Sequence, residues 1–446
     1  MSGVVTRQMK KETEMRCEVP ENASLSLKLV AGSAEIFGVE MASNKEYTFS
    51  DQNIAIFTWY GCTIESSGDD SGLYDTDTTP MVAYVNTHVQ LEARRDVALA
   101  NKDFGPRVMI VGPVDHGKST LAQILGAYAV RLDRTPIMVD LDLGQGLFSI
   151  PSCLAAVPLD KTSLSVEEGF ANSTPLVYFH GYNSPKDNIH LYRSLVETLA
   201  GKVEGRLQRD LDTKSSGLIV NSCGWIDGEG FELLLHTIRT MSIDVVLVMG
   251  HDKLYSNLTS SLGGAAVTVV KLPRSGGVVQ RDASTRKRLR KAKIREYFYG
   301  RAVATTSLTN TLFSPERRES VPLSSFTFLR VGGIQLSEGM KVFGDSSHQN
   351  SFKLAKIAPS QELAYSVVAV LHDLDWEAEG GNAPTAPRAG ISAAGEVNQN
   401  LLSCNVAGFV SIVQIDLERD VMTLLCPCPG SLPSSYLLVG SIKWME

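Results

Sequence analysis

The residues whose types and spacing can do chemistry begin with Gly112-Pro113-Val114-Asp115-His116-Gly117-Lys118-Ser119-Thr120. The apolar run Val108-Met109-Ile110-Val111 precedes them, and an apolar-periodic segment, Leu121 to Leu132, follows. Strand, glycine-rich turn and helix are the context in which a G-x-x-x-x-G-K-[ST] match wraps phosphate. Gly112 and Gly117 let backbone N–H groups point inward, and the new helix adds its unpaired amides and dipole. In such a loop Lys118 reaches the β- and γ-phosphates and the Ser119 hydroxyl holds Mg²⁺. A nucleoside triphosphate with Mg²⁺ is the expected ligand.

Three more groups bear on what is done with it. In VDLDLGQG, Asp140 and Asp142 are two apart and share a face of a strand. One carboxylate at the strand's end can lie near the metal and the γ-phosphate, orient water or accept a proton. Asp142, nearer the turn, is the choice, with Gln145 placed to position metal-bound water. A turn built by Asp and Gly, with Asp as its cap, competes with that reading. In NSCGW, Asn221 to Trp225, a Trp after a Gly at a strand end could be a platform for a nucleobase. It could equally pack against neighbouring helices. In RDASTRKRLRKAKIR, Arg281 to Arg295, Arg286 and Arg290 share a helix face. This basic helix could close as a lid whose arginines neutralise a transferred phosphoryl. It could also be a solvated face or a nuclear localisation signal.

The elements that must position these groups alternate. Expected strands are 107–111, 136–141, 217–221, 244–249 and 267–272; expected helices are 118–132, 188–201, 229–241 and 285–297. Alternation implies an α/β domain, a parallel sheet with helices on both faces. Ligands then sit beyond the carboxyl ends of the strands, which gathers the loops after Val111, Leu141 and Asn221. Before this domain, short alternating runs (15–19, 25–29, 34–37, 54–59) predict a small mainly-β, sandwich-like domain over 1–102. Residues 68–80 read as an acidic loop and 86–102 as a connecting helix. The P-loop domain spans 103–301. From 302 to 446 the chain returns to β character, and 378–397, small and turn-rich, reads as a disordered insertion.

Composition sets limits. The 446 residues carry 42 Lys and Arg against 49 Asp and Glu, a net charge of −7. That balance argues against coating nucleic acid non-specifically, so a nucleic-acid site must be a local patch. Seven cysteines without a C-x-x-C pair read as reduced thiols. The polar start shows no secretory leader, and no run has the length of a membrane helix. A soluble protein of the cytosol or nucleus, without a membrane partner, is expected.

The DHGKS loop also suits a translational GTPase, which needs N-K-x-D later in the chain. Asn44-Lys45 and Asn101-Lys102 lie upstream of the loop and continue wrongly, and Asp227-Gly228-Glu229-Gly230 has no guanine motif after it. The combination of GPVDHGKST, DLGQG, NSCGW and SGGVV followed by IREYFYG (Ile294 to Gly300) resembles the Clp-type polyribonucleotide 5′-hydroxyl kinases. The likeness extends to AEIFGVE (Ala34 to Glu40), FTWYGC (Phe57 to Cys62), VAGF (Val406 to Phe409) and LPSSYLLV (Leu432 to Val439), and so covers most of the chain. It implies ATP with Mg²⁺ and a 5′-hydroxyl RNA acceptor. It also implies partners in the pre-mRNA cleavage complex and the tRNA-splicing endonuclease, and a nuclear location. By resemblance, Lys118 and Ser119 are the phosphate-loop lysine and metal hydroxyl. Asp142 is the Walker B base and metal partner, Gln145 its companion at the RNA end, and Trp225 the RNA-stacking clasp. Arg281, Arg286 and Arg290 are the lid arginines. His116, Ser152 and Ser222 depart from the residues usual there, Val, Gly and Thr. An ATP-binding scaffold without turnover is the alternative.

Overall fold

The structure is a computed structural model and describes residues 4–20, 23–170, 173–300, 318–332, 354–372 and 399–445. The expected insertion at 378–397 lies outside the described residues. Seven α-helices occur among them: α1 (Met81–Asn101), α2 (Lys118–Arg131), α3 (Ile189–Arg209), α4 (Leu211–Ser216), α5 (Glu229–Thr240), α6 (Asp252–Leu262) and α7 (Ala283–Tyr299). Among the described residues no helix is long and apolar enough to cross a membrane. The chain groups into two compact units, each assembled from three stretches.

The first unit comprises Met1–Asp140, Ala156–Thr174 and Lys202–Arg281. It opens with a β-sandwich of two antiparallel sheets. One runs Val5–Met9, Cys62–Gly68, Leu25–Gly32, Glu46–Phe49; the other runs Val39–Glu40, Glu35–Ile36, Gln52–Thr58, Thr13–Val19, Leu73–Thr76. Alternation decides what each strand buries. Leu25, Leu27 and Leu29, with Met15, Cys17, Val19, Ile54, Ile56 and Ile64, fill the core between the sheets. The stretch read as an acidic loop contains a strand, Leu73–Thr76, paired with Glu14–Cys17. Its one buried side chain, Leu73, is enough to seat it against the core.

In the same unit lies a parallel sheet in the order Ile137–Asp140, Leu218–Asn221, Arg107–Val111, Val245–Met249, Thr268–Leu272. The first four are buried at every residue, the mark of strands covered on both faces. Helix α1 starts at Met81 after Pro80, earlier than expected, because Met81 and Tyr84 are already buried. It ends at Lys102 in the left-handed conformation, φ 55°. Its Arg95 is fully buried and donates Nε to the Ser216 carbonyl, with Glu92 as ion partner. Sandwich and α2 are joined through Glu35, which accepts from the Tyr128 hydroxyl and pairs with Arg131 at 2.7 Å.

The second unit comprises Leu141–Ala155, Pro175–Gly201 and Asp282–Glu446. Its sheet runs Arg318–Pro322, Val421–Leu425, Val406–Asp416, Ser366–Leu371, Tyr436–Lys443, Thr327–Val331, Leu354–Ile357. The core includes Phe328, Val368, Val410, Ile412, Leu424 and Leu437. The aromatic end of α7 is fastened to it. The Phe409 N–H donates to the Tyr297 hydroxyl at 2.9 Å, and Phe298 stacks on Trp444 with centroids 5.5 Å apart. Gly300 ends the helix at φ 73°.

Among the described residues no cysteine of the seven is in a disulfide. Cys426 is buried and Cys428 exposed, and among the described residues no cluster of three His, Cys, Asp or Glu is placed to hold a metal.

One buried group ties stability of the first unit to pH. His88 is buried against Tyr128. Burial first, then Arg95 beside it, push its imidazole down to about 4; Glu92 opposes and Arg131 adds. The unfolded chain takes up that proton near pH 6.5, so the stability contributed by neutral His88 is complete above that value. It is lost as pH falls from 6.5 towards 4. The thermal midpoint is expected to drop over that window, and the His88→Gln variant to show a shallower drop in the same melting series.

Candidate active site

The phosphate loop grows out of the buried strand Arg107–Val111. Asp115 and Gly117 take left-handed backbone conformations, φ 55° and 78°. They turn the chain so that α2 begins at Gly117 with no side-chain cap, leaving its first amides for a ligand. Lys118 is 6 % exposed and folds across the loop, donating Nζ to the Pro113 carbonyl at 2.8 Å. The His116 ring turns back on the same loop, Nδ1 lying 2.9 Å from the Val114 carbonyl.

Beside the loop, one asparagine joins three strands. Asn221 stands in register with Ile110 on one side and Asp140 on the other. Its Nδ2 donates to Asp140 Oδ1 at 2.9 Å and to Ser119 Oγ at 3.3 Å. Its Oδ1 is buried without a hydrogen-bond partner. An orphaned buried carbonyl oxygen calls for a cation, a water or a donor that arrives with the ligand. Hydroxyl, carboxylate and amide oxygens together are the hard donor set that Mg²⁺ takes, alongside phosphate oxygens. The residues present therefore fit a magnesium nucleotide.

Asp142 and Gln145 belong to the second unit. Asp142 Oδ1 accepts the Gly144 N–H at 2.9 Å and its carbonyl the Gly146 N–H at 3.4 Å, so the carboxylate closes the turn that contains Gln145. Asp140, in the first unit, shares the Asn221 amide with Ser119. Ser152, which stands where a Gly is usual, holds φ 71° while fully buried. The Ser152 N–H donates to the Leu143 carbonyl at 2.8 Å.

Trp225 is half-buried. A β-carbon at Gly230, in the first turn of α5, would lie 2.5 Å from the indole Cγ, so the ring rests on that glycine. A β-carbon at Gly224 would lie 2.6 Å from the Val114 backbone nitrogen and 2.5 Å from its Cγ1. The loop carrying Trp225 thus touches the phosphate loop directly. Arg281 is exposed, and its N–H donates to Asp115 Oδ2 at 3.0 Å.

In the second unit Asp282 caps α7, accepting the Thr285 N–H at 2.7 Å. Arg286 and Arg290 lie half-buried one turn apart. Burial, then the positive charge of Arg286, push the Arg290 guanidinium below its ordinary range. A pair of mutually repelling cations is suited to a polyanion.

The first unit thus gathers the whole loop Gly112–Thr120 with Asp140, Asn221, Trp225 and Arg281. Asp142, Gln145, Arg286 and Arg290 are in the second. Asn221 was given no role in the sequence, where its signal was a polar residue closing the apolar strand LIVN. The closeness demanded at Gly224 leaves no trace in the sequence.

This fold and loop define a P-loop nucleotide-binding protein with mainly-β flanks. The family model of the mRNA cleavage and polyadenylation factor CLP1 P-loop matches residues 112–300. That of the N-terminal beta-sandwich domain of polyadenylation factor matches residues 8–98, and that of pre-mRNA cleavage complex II protein Clp1 residues 313–446. The chain belongs to the Clp1 family. Polyribonucleotide 5′-hydroxyl-kinase Clp1 of Homo sapiens is 37 % identical over 440 residues, 98 % of this chain and 96 % of the relative. Protein CLP1 homolog of Arabidopsis thaliana is 39 % identical over 451 residues, 98 % and 94 % of the two chains. The Clp1p chain of a solved Clp1p–Pcf11p complex shares the fold, with a TM-score of 0.81 at 22 % identity over 100 % of this chain and 99 % of that one. A P-loop domain of this family binds ATP.

Gly224→Ala is expected to push the Val114 backbone aside. A displacement of about 1 Å at a catalytic site costs on the order of 10²-fold in rate. Titration with a fluorescent ATP analogue is expected to show weakened binding while the far-UV spectrum stays that of the unaltered chain.

Proposed function

We propose that the chain is an ATP-dependent polyribonucleotide kinase that phosphorylates the 5′-hydroxyl end of RNA in pre-mRNA 3′-end cleavage and polyadenylation and in tRNA splicing. The observation that carries this reading is the direct contact between the Trp225 loop and the phosphate loop at Gly224 and Val114. In this reading a terminal base stacked on Trp225 would stand close to the phosphates held by that loop. The name of the human relative, polyribonucleotide 5′-hydroxyl-kinase, supports the same reaction.

In this mechanism the RNA 5′-oxygen attacks the γ-phosphorus and the bond to the β,γ-bridging oxygen breaks, releasing ADP. Lys118 leaves the Pro113 carbonyl to meet the phosphates. Ser119 and Asp142 would hold Mg²⁺ with support from Asp140 and Asn221, and the cation would supply charge neutralisation on the phosphates. Asp142 takes the proton from the attacking hydroxyl, and Gln145 orients the acceptor end. Trp225 stacks on the terminal base. Arg281, Arg286 and Arg290 neutralise charge on the transferred phosphoryl.

The proposed partners are the other subunits of the pre-mRNA cleavage complex and of the tRNA-splicing endonuclease, in the nucleus. The complex of Clp1p with Pcf11p supports the first of these.

Labelled γ-phosphate is expected to pass from ATP to a short single-stranded RNA with a 5′-hydroxyl, with GTP and a DNA oligonucleotide as controls. Lys118→Ala and Asp142→Asn are expected to abolish labelling with the fold retained. Trp225→Ala is expected to raise the KM for RNA about tenfold, the equivalent of losing about 1–3 kcal/mol of stacking. Bound ATP with no labelled RNA from the unaltered chain would replace the kinase by an ATP-binding scaffold.

A further inference from the structure

Glu14 and Arg16 stand on the strand Thr13–Val19, whose alternate residues Met15, Cys17 and Val19 enter the sandwich core. The pleat turns Glu14 and Arg16 to the opposite face. Charged side chains there are ordinarily wet, yet these are 4 % and 7 % exposed. Part of their cover is the segment Ser275-Gly276-Gly277-Val278-Val279, which also stood out in the sequence without a role.

The contacts are specific. Arg16 Nε donates to Glu14 Oε1 at 3.1 Å. Its Nη2 donates to Glu14 Oε2 at 3.4 Å, to the Thr78 carbonyl at 3.0 Å and to Ser275 Oγ at 3.4 Å. A β-carbon at Gly277 would lie 2.8 Å from both Cδ and Nε of Arg16, and one at Gly276 3.2 Å from Nη1. Neither glycine has a left-handed φ, so glycine is required here by the approach of the guanidinium and not by the turn.

The same segment is fastened at both ends. Before it, the Tyr84 hydroxyl donates to the Pro273 carbonyl at 2.9 Å. After it, Arg281 donates its N–H to Asp115 in the phosphate loop. Between these, Arg274 Nη2 donates to the Val278 carbonyl at 2.8 Å. Val278 Cγ2 would lie 3.2 Å from a β-carbon at Gly117, so the valine packs on the turn that opens α2.

We propose that Arg16 is a positioning residue for the nucleotide site. Held by Glu14, its guanidinium seats Gly276 and Gly277, and this seating braces Val278 and Arg281 against the phosphate loop. The sandwich thereby sets the shape of a loop on a different sheet. The inference rests on the kinase reading for its assay but not for its geometry.

The test uses the full chain and two readouts, steady-state transfer to 5′-hydroxyl RNA and the Kd of a fluorescent ATP analogue. Gly277→Ala is expected to raise both the KM for ATP and the Kd about tenfold, within the usual range of coupling between sites, with the KM for RNA unchanged. Arg16→Ala is expected to do the same, and Gly277→Ala added to it to cost nothing more, because the methyl then meets an empty space. Should Arg16→Ala leave Glu14 buried and the protein unfolded, Arg16→Lys keeps a charge beside Glu14 without the fork that spans Thr78 and Ser275. It is expected to weaken ATP and spare RNA. Unchanged ATP affinity in Gly277→Ala, or additive losses in the double variant, would overturn the proposal. If the unaltered chain binds ATP but transfers nothing, the kinase reading falls and the Kd comparison alone decides the role of Arg16.

Discussion

The hydrogen bonds of Asn221 constrain everything near the phosphate loop. One amide group reaches Asp140 on the neighbouring strand and Ser119 at the start of α2, so strand register and helix position are set by one side chain. Because Asn221 is wholly buried, neither bond is exchanged cheaply for water. Parallel pairing with both Arg107–Val111 and Ile137–Asp140 fixes the height at which that amide stands. The loop's geometry is thus a property of the sheet's register, not of the nine loop residues alone.

Close approach of backbone is the second theme. Gly224 against Val114, Gly277 against Arg16 and Gly230 against Trp225 are places where a single methyl would force a shift. Packed interiors transmit such shifts because they have little free volume to absorb them. In the second unit the same device recurs where a β-carbon at Gly440 would lie 2.4 Å from the Gly181 carbonyl oxygen, which also accepts the Ser441 N–H at 2.7 Å.

Much of this was legible in the sequence, and the exceptions have physical causes. Five strands of the central sheet and four of its helices were readable from apolar runs and periodicity. Helix α3 runs past Gly201 and Gly205 to Arg209, because both glycines face open space and act as neutral residues, not as terminators. Helix α6 was missed because its sequence, DKLYSNLTSSL, is rich in weak helix formers. It forms because Leu254, Leu258 and Leu262 bury one face and His251 Nδ1 accepts the Leu254 N–H. The strands Cys153–Pro158 and Leu176–Phe179 were also missed, being short apolar runs without alternation. At the site, the loop residues were legible because their spacing is dictated by phosphate. The strand face expected to carry both Asp140 and Asp142 was not, since the strand ends at Asp140 and Asp142 lies beyond it in the turn that its own carboxylate closes.

The two ends of α7 have opposite chemistry. Tyr297 and Phe298 fasten one end to the C-terminal sheet by contacts that dissolved ions barely touch. At the other end Arg286 and Arg290 repel each other across one turn. Charges held this close gather small anions from solution, which must leave when a polynucleotide backbone takes their place. The helix therefore joins two kinds of contact with opposite responses to electrolyte: its aromatic anchorage is indifferent to salt, and a polyanion drawn to Arg286 and Arg290 would be held less tightly as salt rises.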